Sequence, residues 1–301
     1  MIISDNSKIT ASTAVALGFF DGVHKGHASI ISKAKSLATD GIKSLIYTFD
    51  VHPSLFFGNP TPMIAPGDSR FKLLESYNVD FIYLQKVNKD FLNISPEDFV
   101  DEILINKLGA THVVSGENYT FGKNKSGNSK LLENLCKERG ITYHIVPYLT
   151  DGDNIISSTL IRQSLDTGDI ISANRMLGRP YSVSGKVIHC REVGSTLGFP
   201  TANILPAENA KLPMEGVYAT TTTIDGKSYP SITNVGSAPT FNEEKVIIET
   251  HILDFNKDIY SKNIMVEFID LIRKQQKFSS PDELIIQLKK DTKLRRELCK
   301  V

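Results

Sequence analysis

The sequence predicts an α/β domain with a doubly wound parallel sheet, followed by a small antiparallel β-barrel that ends in a helix. In the first half, short apolar runs alternate with helical patterns, which is typical of a parallel sheet covered by helices. From Tyr181 onward, short strand-like runs separated by turn signals replace this alternation and indicate a barrel. The 301 residues suffice for about two domains. We place their boundary at Gly178/Arg179, which gives domains 1–178 and 179–301.

Five strands and three helices are predicted in the first domain. The strand-like runs are residues 14–20, 43–49, 81–87, 111–115 and 141–146. The first helix starts at His27 and stops at Gly41, and the third covers residues 129–139. The second starts at the Ser95 N-cap and ends before Gly109, a glycine suited to the position after a helix. In such sheets, ligands bind outside the carboxyl ends of the strands.

Four strand-like runs and a final helix are predicted in the second domain. The runs are residues 183–189, 216–224, 246–255 and 264–268. Asp225-Gly226 follows one of them and predicts a hairpin. Pro230 lies in the return strand and predicts an edge or a bulge there. Ser280 and Glu283 form a capping-box start for the last helix.

The charge balance and the cysteine content argue against a nucleic-acid-binding, membrane or disulfide-rich protein. Lysine plus arginine equals aspartate plus glutamate at 34 residues each, so no overall charge attracts nucleic acid or an anionic membrane. The three cysteines, Cys136, Cys190 and Cys299, are widely spaced and odd in number, which favours reduced thiols in a cytoplasmic protein. No signal-like start and no apolar run of membrane-spanning length are found. We therefore expect no nucleic-acid partner and no membrane partner.

Two histidines lie in the turn between the first strand and the first helix. His24 and His27 form an H-x-G-H element interleaved with Gly22 and Gly26. A helix N-terminus offers unpaired N–H groups and a partial positive charge, both of which attract phosphate. The glycines would let the backbone approach such a ligand closely. On the alternative interpretation, the histidines merely cap the helix.

The surrounding residues, GFFDGVHKGH over 18–27, resemble the signature of the nucleotidyltransferase superfamily. The longer form resembles the adenylyltransferase half of bifunctional bacterial FAD synthetases, in which riboflavin kinase is fused to FMN adenylyltransferase. The resemblance implies that His24 and His27 stabilise charge on the ATP phosphates while the α-phosphate is attacked. It also implies that the intervening and preceding residues of the segment bind ATP, namely Gly18, Phe19, Asp21, Gly22 and Gly26.

Three further segments of the first domain match this family. TFDVHP at 48–53 has Val51 where the family usually has proline. GENYTFG at 116–122 implies flavin contacts from Gly116, Tyr119 and Phe121, with Asn118 and Tyr119 where Asp and Phe are more usual. The third segment, SSTLIR at 157–162, resembles the second phosphate-binding motif of the superfamily. This resemblance implies ATP contacts from Ser157, Ser158, Thr159 and Arg162. By itself it could be an ordinary helix cap followed by a solvated arginine.

The second domain carries a segment similar to the PTAN signature of riboflavin kinases. In an extended segment Thr201 and Asn203 face the same way, and their oxygens suit Mg²⁺ held with the phosphates of ATP. Gly194 and Gly198 are expected to form the phosphate loop, with Ser195 where the family usually has arginine. A polar strand face bonded to a neighbouring strand is the alternative.

Two later residues complete the expected kinase site. Strand alternation puts Glu249 on a face shared with Ile247 and Leu253, where a carboxylate is costly unless it is paired or functional. The resemblance makes Glu249 the general base for the ribityl hydroxyl, whereas a glutamate bridging to a lysine or arginine is the alternative. Arg273 is expected to contact nucleotide or flavin.

The resemblance predicts a bifunctional enzyme with ATP, riboflavin, FMN and FAD as its small-molecule substrates and products, and with Mg²⁺ accompanying ATP. The barrel would phosphorylate riboflavin, and the first domain would adenylylate FMN. Two alternatives stay open. One is a nucleotidyltransferase for another small molecule. The other is a flavin-binding storage or regulatory module with degraded sites.

Overall fold

The computed structural model describes residues 2–4, 7–58, 60–189, 198–239 and 244–298. The chain forms two compact units, of which the N-terminal unit comprises Met1–Thr61 and Asp68–Ser157. The C-terminal unit comprises Pro62–Gly67 and Ser158–Val301. Across the described residues, no helix is both long and apolar enough to cross a bilayer.

Six parallel strands form the sheet of the N-terminal unit, in the order β1-β4-β3-β2-β5-β8. The strands of this unit, with two short hairpins, are β1 (Ile2–Ser4), β2 (Thr13–Leu17), β3 (Lys43–Phe49), β4 (Phe81–Gln85), β5 (Ala110–Gly116), β6 (Thr120–Phe121), β7 (Gly127–Asn128), β8 (Thr142–Val146), β9 (Thr150–Asp151) and β10 (Asn154–Ile155). The five predicted sheet strands are confirmed. The sequence analysis missed β1, a three-residue edge strand with too few residues to show a pattern.

Helices cover both faces of this sheet, which confirms the doubly wound class. They are α1 (Lys25–Ser36), α2 (Asp68–Glu75), α3 (Lys89–Leu92), α4 (Pro96–Asp98), its π-helical continuation Phe99–Lys107, and α5 (Ser129–Glu138). All five residues of β2 are buried, as expected for a central parallel strand. Val15 and Leu17 face a core with α5, whereas Ala16 faces a core with α1 and α2. The Ser95 cap is also confirmed, because its Oγ accepts from the backbone N–H of Asp98 at 3.0 Å.

The C-terminal unit contains an antiparallel barrel and a C-terminal helix, as predicted. The barrel is closed and has six strands, and two further helices precede it. Its strands follow the order β11-β12-β15-β14-β13-β16 around the barrel. Its elements are α6 (Ser158–Thr167), α7 (Ile170–Leu177), β11 (Tyr181–Ile188), β12 (Ala202–Pro206), β13 (Gly216–Ile224), β14 (Lys227–Pro239), β15 (Glu244–Ile252), β16 (Asn263–Lys274) and α8 (Pro281–Leu298).

The hairpin and helix-start predictions in the barrel are confirmed. Asp225 and Gly226 both have positive φ, 49° and 77°, as a type I′ turn requires. Pro230 lies just before the β14–β15 ladder, which starts at Ser231. The N–H group that proline lacks is therefore not needed for a hydrogen bond of that ladder. At the start of α8, Ser280 Oγ accepts from the N–H of Glu283 at 3.3 Å.

The barrel interior contains a chain of hydroxyl groups. Thr220 bonds to Ser231 at 2.8 Å and to Thr233 at 2.7 Å, and Thr233 bonds to Thr250 at 3.0 Å. All four residues are buried. Each buried hydroxyl is therefore satisfied by another one across the strands, which removes the cost of burying it.

The two helices that precede the barrel pack with it. Asn174 of α7 donates to the carbonyl of Phe268 at 2.8 Å and accepts from the N–H of Tyr181 at 2.6 Å. The boundary expected at Gly178/Arg179 marks the first barrel strand, but the compact unit already begins at Ser158. As a boundary between two activities, it stays a prediction.

Pro62–Gly67 also belongs to the C-terminal unit. The N–H of Met63 donates to the carbonyl of Asn209, and the N–H of Lys211 donates to the carbonyl of Met63, each at 2.7 Å. A short segment of the N-terminal sequence thus completes the surface of the barrel unit.

Candidate active sites

The turn after β2 has an unusual backbone. Phe20, Gly22 and Val23 all have positive φ, at 60°, 73° and 40°. Left-handed conformations are costly for Phe and Val, and such strain concentrates at functional sites. The turn ends at His24, whose extended backbone lets its ring cap α1. The sequence predicted a tight turn here but gave no sign of strain at Val23.

The structure brings the two predicted histidines together. Their rings stack with centroids 3.6 Å apart, and His24 Nδ1 accepts from the backbone N–H of His27 at 3.3 Å. The capping interpretation is therefore correct for His24, but it does not account for His27. A side chain at Gly26 would lie 3.2 Å from the His24 ring and 3.8 Å from the carbonyl of Ile156, so glycine leaves room for this stack.

His27 has the character of a ligand-binding group. Burial, with a smaller contribution from His24, holds its pKa well below the ordinary value of 6.5. Its Nδ1 is buried and, within the described part of the chain, makes no hydrogen bond. Buried polar atoms in native proteins normally have a partner. A bound ligand would supply one here.

A cavity of about 690 Å³ lies in the same unit. Its walls are largely aromatic, and its lining residues include Phe19, Phe49, His52, Phe91, Tyr119 and Phe121. The rings of Tyr119 and Phe121 are near-parallel, 5.9 Å apart. The volume and the aromatic walls suit a planar organic ring system.

Some of the residues predicted to bind flavin or ATP line this cavity, and others lie outside its lining. Tyr119 and Phe121, predicted to bind flavin, line it, whereas Gly116 lies nearby at the end of β5. Phe19, predicted to bind ATP, contributes its ring to the cavity wall. Asp21 is buried in the histidine turn.

Two aromatic residues and one arginine of this site were missed by sequence reasoning. Phe49 and Phe91 line the cavity, and their rings are 5.5 Å apart. Arg70 is 2% exposed and bonds to the ends of β2 and β3. Phe49 lies within the TFDVHP segment that matches the family, but no contact was predicted for it. No pattern in the sequence singles out Phe91 or Arg70.

The predicted second phosphate motif is divided between the units. Ser157 is the last residue of the N-terminal unit, whereas Ser158 and Thr159 begin α6 in the C-terminal unit. Arg162 follows one turn later and donates from Nε to the carbonyl of Pro62 at 2.8 Å. Its predicted phosphate contact stays a prediction.

In the barrel, three polar residues form a row across adjacent strands. Glu249 of β15 is paired with Asn203 of β12 on one side and with Asn234 of β14 on the other. Directly paired residues project from the same face of the sheet. Glu249 is half-buried between the buried Ile248 and Thr250, and Leu253, which was predicted to share its face, is also buried. The cross-strand neighbours of Glu249 on that face are two carboxamides, so polar groups adjoin the carboxylate there.

The donor set next to Glu249 fits a hard cation. Asn203 is 4% exposed, and its Oδ1 is buried and lacks a hydrogen bond to any described residue. Thr201, two residues earlier, lines a cavity of about 180 Å³ together with Thr250 and Tyr260. Neutral oxygens of this kind suit Mg²⁺ that is also bound by phosphate. Gly198 has φ +82°, while Gly194 and Ser195 lie outside the described residues.

Arg273 is held by α8. Its Nε donates to Asp291 at 3.0 Å, and its guanidinium lies 5.6 Å from the centre of the Phe278 ring. Asp291 is 1% exposed and also accepts from Gln287 at 2.8 Å. These contacts give Arg273 a structural role, and its predicted contact with nucleotide or flavin is not tested by them.

Two family models match this chain, one in each half. Residues 6–160 match the FAD synthetase family, and residues 177–299 match the riboflavin kinase family. The fold and the two sites thus define a two-domain enzyme of flavin metabolism. The chain belongs to the bifunctional riboflavin kinase/FMN adenylyltransferases.

Curated relatives with that name match along most of their length. The Bacillus subtilis protein is 37% identical over 289 residues, which cover 93% of this chain and 90% of the relative. The Listeria monocytogenes protein is 36% identical, covering 92% and 89%. A crystal structure described as a macrolide-efflux protein from Streptococcus pneumoniae has a TM-score of 0.88 and 32% identity, with 98% of each chain covered. The efflux description belongs to that protein, whereas both family models matched by this chain describe flavin chemistry.

Proposed function

We propose that each family's activity resides where its model matches: FMN adenylylation around the His24–His27 pair, and riboflavin phosphorylation on the barrel around Glu249. The observation that carries this assignment is the non-overlap of the two matches, residues 6–160 and 177–299. Each region has its own cavity and its own buried polar atom without a partner among the described residues.

In the adenylylation step, a phosphate oxygen of FMN attacks the α-phosphorus of ATP. The bond from that phosphorus to the oxygen bridging it to the β-phosphorus breaks, and pyrophosphate leaves. The N-terminus of α1 and the ring nitrogens of His24 and His27 hold the phosphate oxygens. Because the pKa of His27 is lowered, its ring is neutral at pH 7 in the free enzyme and acts by donating a hydrogen bond. The aromatic cavity holds the flavin ring.

In the phosphorylation step, the 5′-hydroxyl oxygen of riboflavin attacks the γ-phosphorus of ATP, and ADP leaves. Glu249 accepts the hydroxyl proton. Thr201 and Asn203 would hold Mg²⁺ through their side-chain oxygens. The ion, when bound with ATP, supplies positive charge to the phosphates. Asn203 and Glu249 are cross-strand neighbours, so a phosphate held with Asn203 would lie on the same face of the barrel as the base.

We also propose a cytoplasmic location. Cys136 is a free thiol, which is consistent with the reduced cysteines expected in that compartment. The substrates are small molecules, with no nucleic-acid or membrane partner.

The test is product analysis of the full chain with riboflavin and Mg-ATP. Chromatography should show FMN first and FAD later, and EDTA should suppress FMN formation. FAD from added FMN without any FMN from riboflavin would reject the kinase assignment. Flavin binding without either product would favour the storage or regulatory module.

A further inference from the structure

Arg70 is a buried cation in the N-terminal unit that the proposed chemistry does not use. It lies in α2 and is 2% exposed. An isolated charge in such a position is strongly disfavoured unless its environment compensates. Burial lowers the pKa of Arg70 to about 10, while Asp21 and Asp50 act in the opposite direction. The guanidinium therefore stays charged at neutral pH.

Its hydrogen bonds join two strands beyond their last paired residues. The β2–β3 ladder ends at the pair Leu17 and Tyr47. Arg70 then donates from one terminal nitrogen to the carbonyl of Phe19 at 2.8 Å, and from the other to the carbonyl of Phe49 at 2.6 Å. The planar guanidinium thus bridges the two backbone segments that continue beyond the last paired residues of the ladder.

A third acceptor makes this arrangement specific for arginine. The nitrogen that binds the Phe19 carbonyl also donates to Thr48 Oγ1 at 3.0 Å, and Thr48 itself donates to that carbonyl at 3.0 Å. A lysine ammonium at this position would keep the charge. It has no fixed fork of donors, however, and cannot reach all three acceptors in one plane.

The residues that Arg70 fixes form one wall of the aromatic cavity. Its guanidinium lies 4.2 Å from the centre of the Phe19 ring. That ring meets the His52 ring edge-on at 4.4 Å and is near-parallel to the Phe49 ring at 6.5 Å. All three rings line the cavity of about 690 Å³.

We propose that Arg70 is a positioning residue for flavin recognition, which sets the Phe19–Phe49 wall of the cavity through the carbonyls of those two residues. This inference rests on the assignment of the cavity to FMN in the adenylylation reaction. Arg70 itself touches neither the phosphates nor the reacting atoms. Its loss raises the KM for FMN and weakens FMN binding, while the chemical step on bound FMN is largely preserved.

The test uses the full-length variants R70K and F19L, the double variant, and R139K as a matched control. Arg139 pairs with Asp101 elsewhere in the same unit, so its replacement reports general effects on that unit. FMN binding is followed by quenching of flavin fluorescence without ATP, and FAD formation is followed for KM and kcat. Riboflavin phosphorylation serves as the internal measure of folded protein.

For R70K we expect a KM and a Kd for FMN raised about tenfold or more, the scale expected when charged hydrogen bonds are lost. The kcat should stay within about threefold of the wild type. The combined effect in the double variant should be less than additive, since Arg70 acts in part through Phe19. Unchanged FMN affinity in R70K, or fully additive effects in the double variant, would overturn the inference. Equal changes in R139K and R70K would also overturn it, whereas a wild type that makes no FAD would overturn the proposed function instead.

Discussion

At the scale of single residues, two variants should separate the activities in opposite directions. Replacing His24 and His27 together with alanine should reduce FAD formation from FMN by roughly 10² to 10³, because donors to the developing phosphate charge are lost. Glu249→Gln keeps the shape but removes the base, so FMN formation should fall by roughly 10² or more. Each variant is the control for the other, and both reactions are measured on each by chromatography. A parallel loss of both reactions in either variant contradicts the two-site assignment.

The pH dependence of stability has a predictable sign. The pKa of His27 is lowered by burial and by His24, and that of His144 by burial, Lys33 and His112. Below pH 6.5 the unfolded chain therefore binds more protons than the folded chain. The stability that these groups contribute is fully present above pH 6.5 and is lost as the pH falls through their folded-state pKa values.

Thermal melts at pH 7.5, 6.5 and 5.5 measure this effect. We expect the Tm of the N-terminal unit to fall on acidification, and to fall less steeply in His144→Asn, which removes one titrating ring outside the catalytic turn. His144 Nε2 lies 3.3 Å from His112 Nδ1, and this neighbour contributes to the lowered pKa of His144. Identical slopes for wild type and variant would show that His144 does not titrate as described.

Sequence reasoning found residues whose chemistry depends on spacing. His24 and His27 could be recognised from the sequence because the H-x-G-H spacing places both histidines at the start of one helix. Arg70 was not, since a buried arginine in a short helix looks like any solvated one until its acceptors are known. Strand alternation predicted the face of Glu249, but it could not predict the carboxamides of Asn203 and Asn234 beside it, because only the pairing of strands in the barrel brings these residues together.

At the scale of elements, α8 is attached to the barrel by buried charges. Asp291, 1% exposed, pairs with Arg273, while Arg295, 3% exposed, donates to the carbonyls of Thr220 at 3.0 Å and Ser231 at 3.2 Å. Asp291→Asn should destabilise the unit by about 3 kcal/mol, because Arg273, whose side chain is only 13% exposed, loses its buried counter-charge. The measurement is urea unfolding followed by circular dichroism.

Asp254→Asn is the matched control for this prediction. Asp254 pairs with Arg296 of the same helix, but both side chains are more than half exposed. Exposed ion pairs contribute little to stability, so this variant should unfold close to the wild type. Equal destabilisation by the two variants would mean that burial of the ion pair does not determine its contribution.

Element prediction worked where local signals were strong and failed where tertiary pairing decides. The caps at Ser95 and Ser280 and the turn at Asp225-Gly226 are set by neighbouring residues, and all were predicted. The edge strand Ile2–Ser4 exists because it pairs with β4, which no local signal indicates. Phe99–Lys107 has π-helical geometry, and the predicted helix did not distinguish this from an α-helix.

At the scale of the whole molecule, the barrel depends on sequence that precedes it. Ala173, Met176 and Leu177 of α7 are buried, and α7 is bonded to β16 and to the start of β11 through Asn174. The change at Tyr181 from alternating strand and helix patterns to short strand-like runs marks where the barrel strands begin. It cannot show which helices pack against those strands. The segment Pro62–Gly67 was equally hidden, because its partners are more than a hundred residues away in the chain.

Two truncations test this dependence. Residues 158–301 keep α6 and α7, whereas residues 179–301 begin at the barrel itself. Both retain Thr201, Asn203 and Glu249, so both should form FMN with Mg-ATP if the kinase site is complete within the barrel. The shorter one loses burial on the order of 5 kcal/mol from α7, and should melt at a clearly lower temperature. Melting curves and FMN formation are measured side by side at one protein concentration.

If the two truncated proteins melt at the same temperature, α7 does not stabilise the barrel. If both are folded but inactive, the N-terminal unit completes the kinase site and the assignment of one activity to each region is wrong.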